Sequence, residues 1–125
     1  MSEPLNIVAT ADKPEINLDP QQDVFEILGK SLPEDAKSFY DPVIDWFEEY
    51  ANEPNEVTVF NLKLNYFNSS SARKLVELLS VLEKIQEEGK EVKIVWFYKT
   101  YDAIMKERGE EVQLVLDVPF ELKEY

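Results

Sequence analysis

Apolar residues recur along this chain in two rhythms, every second position in some stretches and every third or fourth in others. Glu15-Ile16-Asn17-Leu18-Asp19 and Val24-Phe25-Glu26-Ile27-Leu28-Gly29 alternate with period two, and Pro20-Gln21-Gln22-Asp23 between them reads as a turn. Together they predict an N-terminal hairpin. Leu5-Asn6-Ile7-Val8-Ala9-Thr10 ahead of it reads as a short edge strand or an ordered arm. Ser31-Leu32-Pro33-Glu34 has the form of a capping box. Phe39, Val43, Ile44, Phe47 and Tyr50 then follow at spacings of three and four, which predicts a helix. Pro42 lies inside that pattern and predicts a kink near Asp41, or a helix in two pieces.

Val57 to Leu64 alternates again, with apolar groups on both sides at its start, as in a central strand. From about Ser70 to Glu88 the helical rhythm returns. Ala72, Leu75, Val76, Leu79, Leu82 and Ile85 make its stripe, and Gly89 is placed to end it. Glu91 to Tyr98 is a further strand, and Asp102 to Arg108 predicts a short helix stopped by Gly109. Val112 to Leu116 reads as a last strand and Pro119 to Leu122 as a tail. The strands 57–64 and 91–98 flank a helix and are therefore expected to run parallel. The predicted fold is α/β: a single domain over residues 1–125, with a mixed sheet of four to six strands, an N-terminal hairpin and helices packed on it. By architecture it resembles the anti-sigma-factor-antagonist (STAS) group.

Composition narrows what such a domain does. Among its 125 residues there is neither cysteine nor histidine. That removes disulfides, sulfur redox chemistry, the commonest zinc ligand and the commonest general base. No metal and no cofactor is expected. The 26 acids outnumber the 13 bases, a formal charge of −13, so binding to nucleic acid or an anionic membrane through a broad field is not expected, and partners presenting basic groups are. No apolar run reaches the roughly 20 residues needed to cross a bilayer. The N-terminus lacks the pattern of a signal peptide, so a cytoplasmic protein is expected.

Three features invite chemistry. Carboxylates are plentiful, as in Glu48-Glu49, Glu87-Glu88 and Glu110-Glu111, but fall on helix exteriors. With no Gly-rich phosphate loop and no nucleophile elbow, a small carboxylate-based enzyme has little to mark it. Aromatics are the second feature. Tyr66-Phe67 and Trp96-Phe97-Tyr98 sit at the carboxyl ends of the two inferred parallel strands, where partners commonly dock. The third is Asn68-Ser69-Ser70-Ser71, a strand end opening a helix whose first turn holds Arg73 and Lys74 and no acid. A hydroxyl there either caps the helix or carries a phosphoryl group, which the free N–H groups and two cations would stabilise. The residues alone leave both readings open.

Several segments together resemble the SiaC family of regulatory phosphoproteins. They are Gly29-Lys30-Ser31-Leu32-Pro33-Glu34-Asp35-Ala36, Phe39-Tyr40 with Pro42 and Trp46, Tyr66-Phe67-Asn68-Ser69-Ser70-Ser71, and Val95-Trp96-Phe97-Tyr98 with Asp102. The similarity runs from about Ile7 to Phe120. It implies a STAS-like, non-catalytic bacterial switch protein. A partner serine/threonine kinase phosphorylates it, a PP2C-type phosphatase reverses this, and the unphosphorylated form binds and activates a GGDEF diguanylate cyclase. The acceptor falls on Ser69, directly after Asn68, with Ser70 and Ser71 as lesser candidates. The expected partner surface is Tyr66, Asn68, Ser69, Ser70, Arg73 and Lys74. A constitutive STAS-like binding module without phosphorylation is the alternative. A phosphoryl group adds only about −1.5 to −2 charges, a small change on a chain this acidic, so a switch of this kind must act locally.

Overall fold

Each rhythm folds as its period dictates, and the departures come where distant residues intervene. The computed structural model describes residues 2–125. In chain order the elements are β1 (Leu5–Ile7), β2 (Glu15–Asp19), β3 (Val24–Ser31), α1 (Ala36–Tyr50), β4 (Val57–Phe67), α2 (Ser69–Glu87), β5 (Glu91–Tyr98), α3 (Ala103–Val115) and β6 (Phe120–Glu124). The six strands form one sheet in sequential order. The β1–β2 and β2–β3 pairs are antiparallel, whereas β3–β4, β4–β5 and β5–β6 are parallel. Each parallel pair is joined by a helix, so this is a mixed, STAS-like α/β fold with a hairpin on one edge.

Alternation divides the sheet into two faces. Ile16, Leu18, Phe25, Ile27, Phe60, Leu62, Leu64, Ile94 and Trp96 are buried beneath the helices. The other face carries Asn17, Glu26, Asn61, Lys63, Lys93 and Phe97 and remains partly open. From α2 the core takes Leu75, Leu78, Leu79, Val81, Leu82 and Ile85, while Ala72 and Val76, expected in the stripe, are only half-buried. No helix among the described residues is long and apolar enough to cross a membrane.

Several local expectations are overturned. Ser31 does not begin a capping box: β3 runs through it, and the cap of α1 is Asp35, whose carboxylate accepts from the Ser38 N–H at 3.2 Å. Of the two outcomes expected at Pro42, the helix in two pieces does not form: α1 runs unbroken from Ala36 to Tyr50. Ser38 and Pro42 are both exposed, so the carbonyl that loses its donor faces water. Gly109 does not stop α3. It is buried inside the helix at a close crossing, where a Cβ would lie 2.6 Å from carbons of both Leu122 and Trp96. Residues 112–115 are therefore helical rather than extended, and the expected tail is the parallel strand β6. Gly89 ends α2 as expected, at φ +105°.

Candidate functional site

The junction from β4 to α2 is built on a bulge. Gly29 pairs with Leu64, but the next partners are Lys30 with Tyr66 and Ser31 with Phe67, so β4 carries one extra residue at Asn65. The insertion reverses the alternation of β4. Phe67 turns into the core, where its ring meets Trp96 edge-on at 5.7 Å, and Tyr66, 49% exposed, turns outward. On the neighbouring strand Gly29, at φ +103°, adopts a conformation that favours glycine, and Ser31 two residues on is fully buried.

Ser31 anchors the turn. Its carbonyl accepts from the Asn68 N–H at 3.1 Å and from the Ser71 hydroxyl at 3.1 Å. Its own hydroxyl bonds to Ser71 Oγ at 2.9 Å and to the Tyr40 hydroxyl of α1. Ser31, Thr58 and Ser71 are the buried polar residues among those described, and two of the three lie here. Burial pushes the Tyr40 hydroxyl up to about 12, although its bonds to Ser31 and Ser71 favour ionisation. The group is neutral at physiological pH and works as a hydrogen-bonding strut between α1, β3 and α2.

Above this network the first turn of α2 is exposed. Asn68, in extended conformation, caps it: the side-chain oxygen accepts from the Ser71 N–H at 2.9 Å and from the Ser70 hydroxyl at 3.2 Å. The cap is thus an amide, and no serine serves as one. Ser69 and Ser70 are the first two helical residues, both exposed, and the helix offers their N–H groups no acceptor. Ser71 is sealed at 0% exposure. The other two helices are capped by carboxylates, Asp35 in α1 and Asp102 in α3. Among the three helix starts, that of α2 alone combines a neutral cap with a first turn free of acids, so no carboxylate of its own offsets its positive dipole end.

The two cations are placed differently. Arg73 is exposed, stands one turn beyond Ser69, and enters no ion pair among the described residues. Lys74 is held by Asp41 of α1 at 2.7 Å and by Glu77 at 3.1 Å. The Asp41 bond, more than Glu77, raises the Lys74 ammonium above its ordinary value, and Lys37 followed by Lys74 lowers the Asp41 carboxyl. Lys74 therefore ties α1 to α2. Between the two helix starts lies an open cleft of about 480 Å³ lined by Glu34, Asp35, Ser70, Arg73, Lys74 and Glu77. A larger groove of about 710 Å³, between α1 and the Ile7–Lys13 segment, adjoins it through Glu34 and Asp35.

The turn thus gathers Asn68, Ser69, Ser70 and Arg73 at one exposed edge, with Lys74 engaged beside them and Tyr66 on the outer side of the strand. Ser31, Tyr40 and Asp41 complete it and were not among the expected site residues. The buried serine was legible only as a local cap, and its true partners lie far along the chain.

The pattern of the SiaC family of regulatory phosphoproteins matches residues 7–125. An uncharacterised protein of Pseudomonas aeruginosa strain UCBPP-PA14 is 29% identical over 119 residues, covering 95% of this chain and 94% of its own. The crystal structure of apo-SiaC from Pseudomonas aeruginosa superposes with a TM-score of 0.89 at 28% identity, over 97% of this chain and 98% of that one. A crystal structure of the diguanylate cyclase SiaD in complex with its activator SiaC, from the same species, contains a chain equally similar at TM-score 0.89 and 28% identity, over 97% of this chain and 99% of that one.

Proposed function

The chain belongs to the SiaC family of regulatory phosphoproteins, and from that premise we propose that it is a non-catalytic switch whose phosphorylation at Ser69 controls docking to an effector. The observation that carries this reading is the chemistry of the α2 start: an exposed hydroxyl beside a neutral cap, free N–H groups and an unpaired arginine. A dianion on Ser69 would meet the positive end of the helix and lie one turn from Arg73. Ser70 is open to solvent as well, but its hydroxyl is already spent on the Asn68 oxygen. Modification of Ser71 would first require the Ser31–Tyr40–Ser71 network to open, which ranks it last.

The effector of this reading is a diguanylate cyclase, by analogy with the Pseudomonas aeruginosa SiaC that activates SiaD. A kinase and a PP2C-type phosphatase would set the modification state. Docking across Asn68, Ser69, Ser70 and Arg73 explains how a small added charge acts on so acidic a chain. Desolvating a phosphoryl group without full pairing costs ~3 kcal/mol or more, over a hundredfold in affinity. Arg73 stabilises the modified form, and Lys74 keeps the two helix starts together in both forms.

The experiment is phosphate transfer from the cognate kinase to the chain and to Ser69→Ala, Ser70→Ala and Ser71→Ala. Labelling is expected to vanish in the Ser69 variant and persist in the Ser70 variant. Retained labelling of Ser69→Ala removes the assignment, and an unlabelled wild-type chain leaves a constitutive binding module.

A further inference from the structure

The open face of the sheet carries a second constellation, at the same end as the acceptor turn. Phe97 of β5 pairs with Lys123 of β6, and Lys63 of β4 stands on the other side of Phe97, so the three form a row across adjacent strands. The Lys63 ammonium lies 4.7 Å from the centre of the Phe97 ring and 5.7 Å from that of Tyr125. Lys99 sits 3.9 Å from the Tyr125 centre, and Lys123 5.9 Å from that of Phe97. The two rings meet edge-on at 5.6 Å. Three ammonium groups thus share one pair of rings.

None of these lysines enters an ion pair among the described residues, on a chain with 26 acids to 13 bases. Of the acids on the same strand, Glu121 is bound to Lys93 at 2.6 Å and also feels the charge of Lys123, and Glu124 accepts from the Thr100 hydroxyl at 3.4 Å. Lys30, beside Tyr66 across the bulge and likewise without an ion pair, extends the basic ground toward the acceptor turn. Gathering like charges is unfavourable, and cation–π contact offsets only part of it. An anion placed among them would relieve the repulsion. Phe97 is only half-buried and Tyr125 is 41% exposed, so the site also offers apolar surface.

We propose that this row is a docking surface for an acidic segment of a partner protein, whose carboxylates meet Lys63, Lys99 and Lys123 while an apolar side chain rests on Phe97 and Tyr125. The negative field of the whole chain does not forbid it. Beyond about 8 Å such a field is screened at physiological ionic strength, and a segment in contact responds to the lysines beneath it. The surface is separate from Ser69 and would operate whether or not that residue is modified.

The test uses the full chain and a short synthetic peptide of glutamates with a single leucine. Titration followed by amide NMR is expected to move the signals of Lys63, Phe97, Lys99 and Lys123, with affinity falling as salt rises. The combined Lys63→Ala, Lys99→Ala and Lys123→Ala variant should bind about tenfold more weakly. Lys84→Ala, an exposed change on α2, should bind as the parent does, and so should Ser69→Asp. Equal binding by the triple variant overturns the proposal. So do shifts scattered over all lysines, binding of oligothymidylate as tight as that of the peptide, or a loss in Ser69→Asp matching that of the triple variant.

Discussion

Two helix starts at the same end of the parallel strands, those of α2 and α3, solve one problem with different chemistry. Each has a side-chain oxygen at the cap accepting from the N–H three residues on: Asn68 from Ser71 at 2.9 Å, and Asp102 from Met105 at 3.0 Å. The geometry is shared and the charge is not. Asp102 neutralises the dipole of α3 with its own carboxylate, whereas Asn68 leaves that of α2 open to an incoming anion. What lies beneath differs too. The α3 start rests on Trp96, whose indole N–H donates to the Met105 carbonyl at 3.0 Å, and the α2 start rests on the hydroxyls of Ser31, Tyr40 and Ser71. One junction is sealed by charge and an aromatic ring. The other is neutral above and polar below, which suits the proposed gain and loss of a phosphoryl group at Ser69.

The largest expected effect breaks the α3 side. Trp96→Ala should cost about 3–5 kcal/mol in denaturant unfolding, through the cavity and the lost indole hydrogen bond to the Met105 carbonyl. A loss under 1 kcal/mol would show that the indole does not support that helix start. Alkaline unfolding probes the α2 side. The Tyr40 hydroxyl titrates near 12 in the fold, against 10.0 ordinarily. Its contribution is complete below pH 10 and is lost as pH rises toward 12, because the unfolded chain then releases a proton that the fold retains. Its share of the decline amounts to about 2–3 kcal/mol, and Tyr40→Phe should remove that share while leaving what Tyr50 and Tyr125, also raised by burial, contribute. An unchanged alkaline slope in the variant would place the titration elsewhere.

Smaller still is Ser71→Ala, expected to cost about 1 kcal/mol: it removes the two bonds of the Ser71 hydroxyl, while Ser31 keeps those to Asn68 and Tyr40. Labelling of Ser69 in this variant should slow if the network sets the turn. The smallest change in stability is the most diagnostic of the comparison. Exchanging the caps, Asn68→Asp and Asp102→Asn, should shift stability by no more than about 1 kcal/mol. Yet Asn68→Asp should reduce phosphate incorporation about tenfold, since a carboxylate then faces the incoming dianion. Asp102→Asn should leave incorporation unchanged. Equal incorporation by both cap variants would remove the electrostatic distinction between the junctions.

What was legible in the sequence was what neighbours along the chain decide. The alternation of Val57–Leu64 and the three-four rhythm of Leu75, Leu79 and Leu82 each act within a few residues, and both became the expected elements. Asn68 followed by serines and no acid was likewise a local signal. Ser31 was not legible as part of the site: the alternation of β3 turns it inward, but its partner Ser71 lies 40 residues away. Lys74 looked like a free cation until Asp41, 33 residues earlier, was brought beside it. Gly109 stood at a plausible helix end, yet it marks the place where α3 crosses Trp96 and Leu122 too closely for a side chain. In each case a contact made by the tertiary fold outweighed a local preference.

The central claim is that an anion on one exposed hydroxyl at the start of α2 decides whether the effector docks. Calorimetric titration of the cognate diguanylate cyclase with the unmodified chain, and with the chain singly phosphorylated at Ser69, measures it directly. The account predicts that the modified form binds at least about a hundredfold more weakly. Equal affinities for the two forms would contradict it.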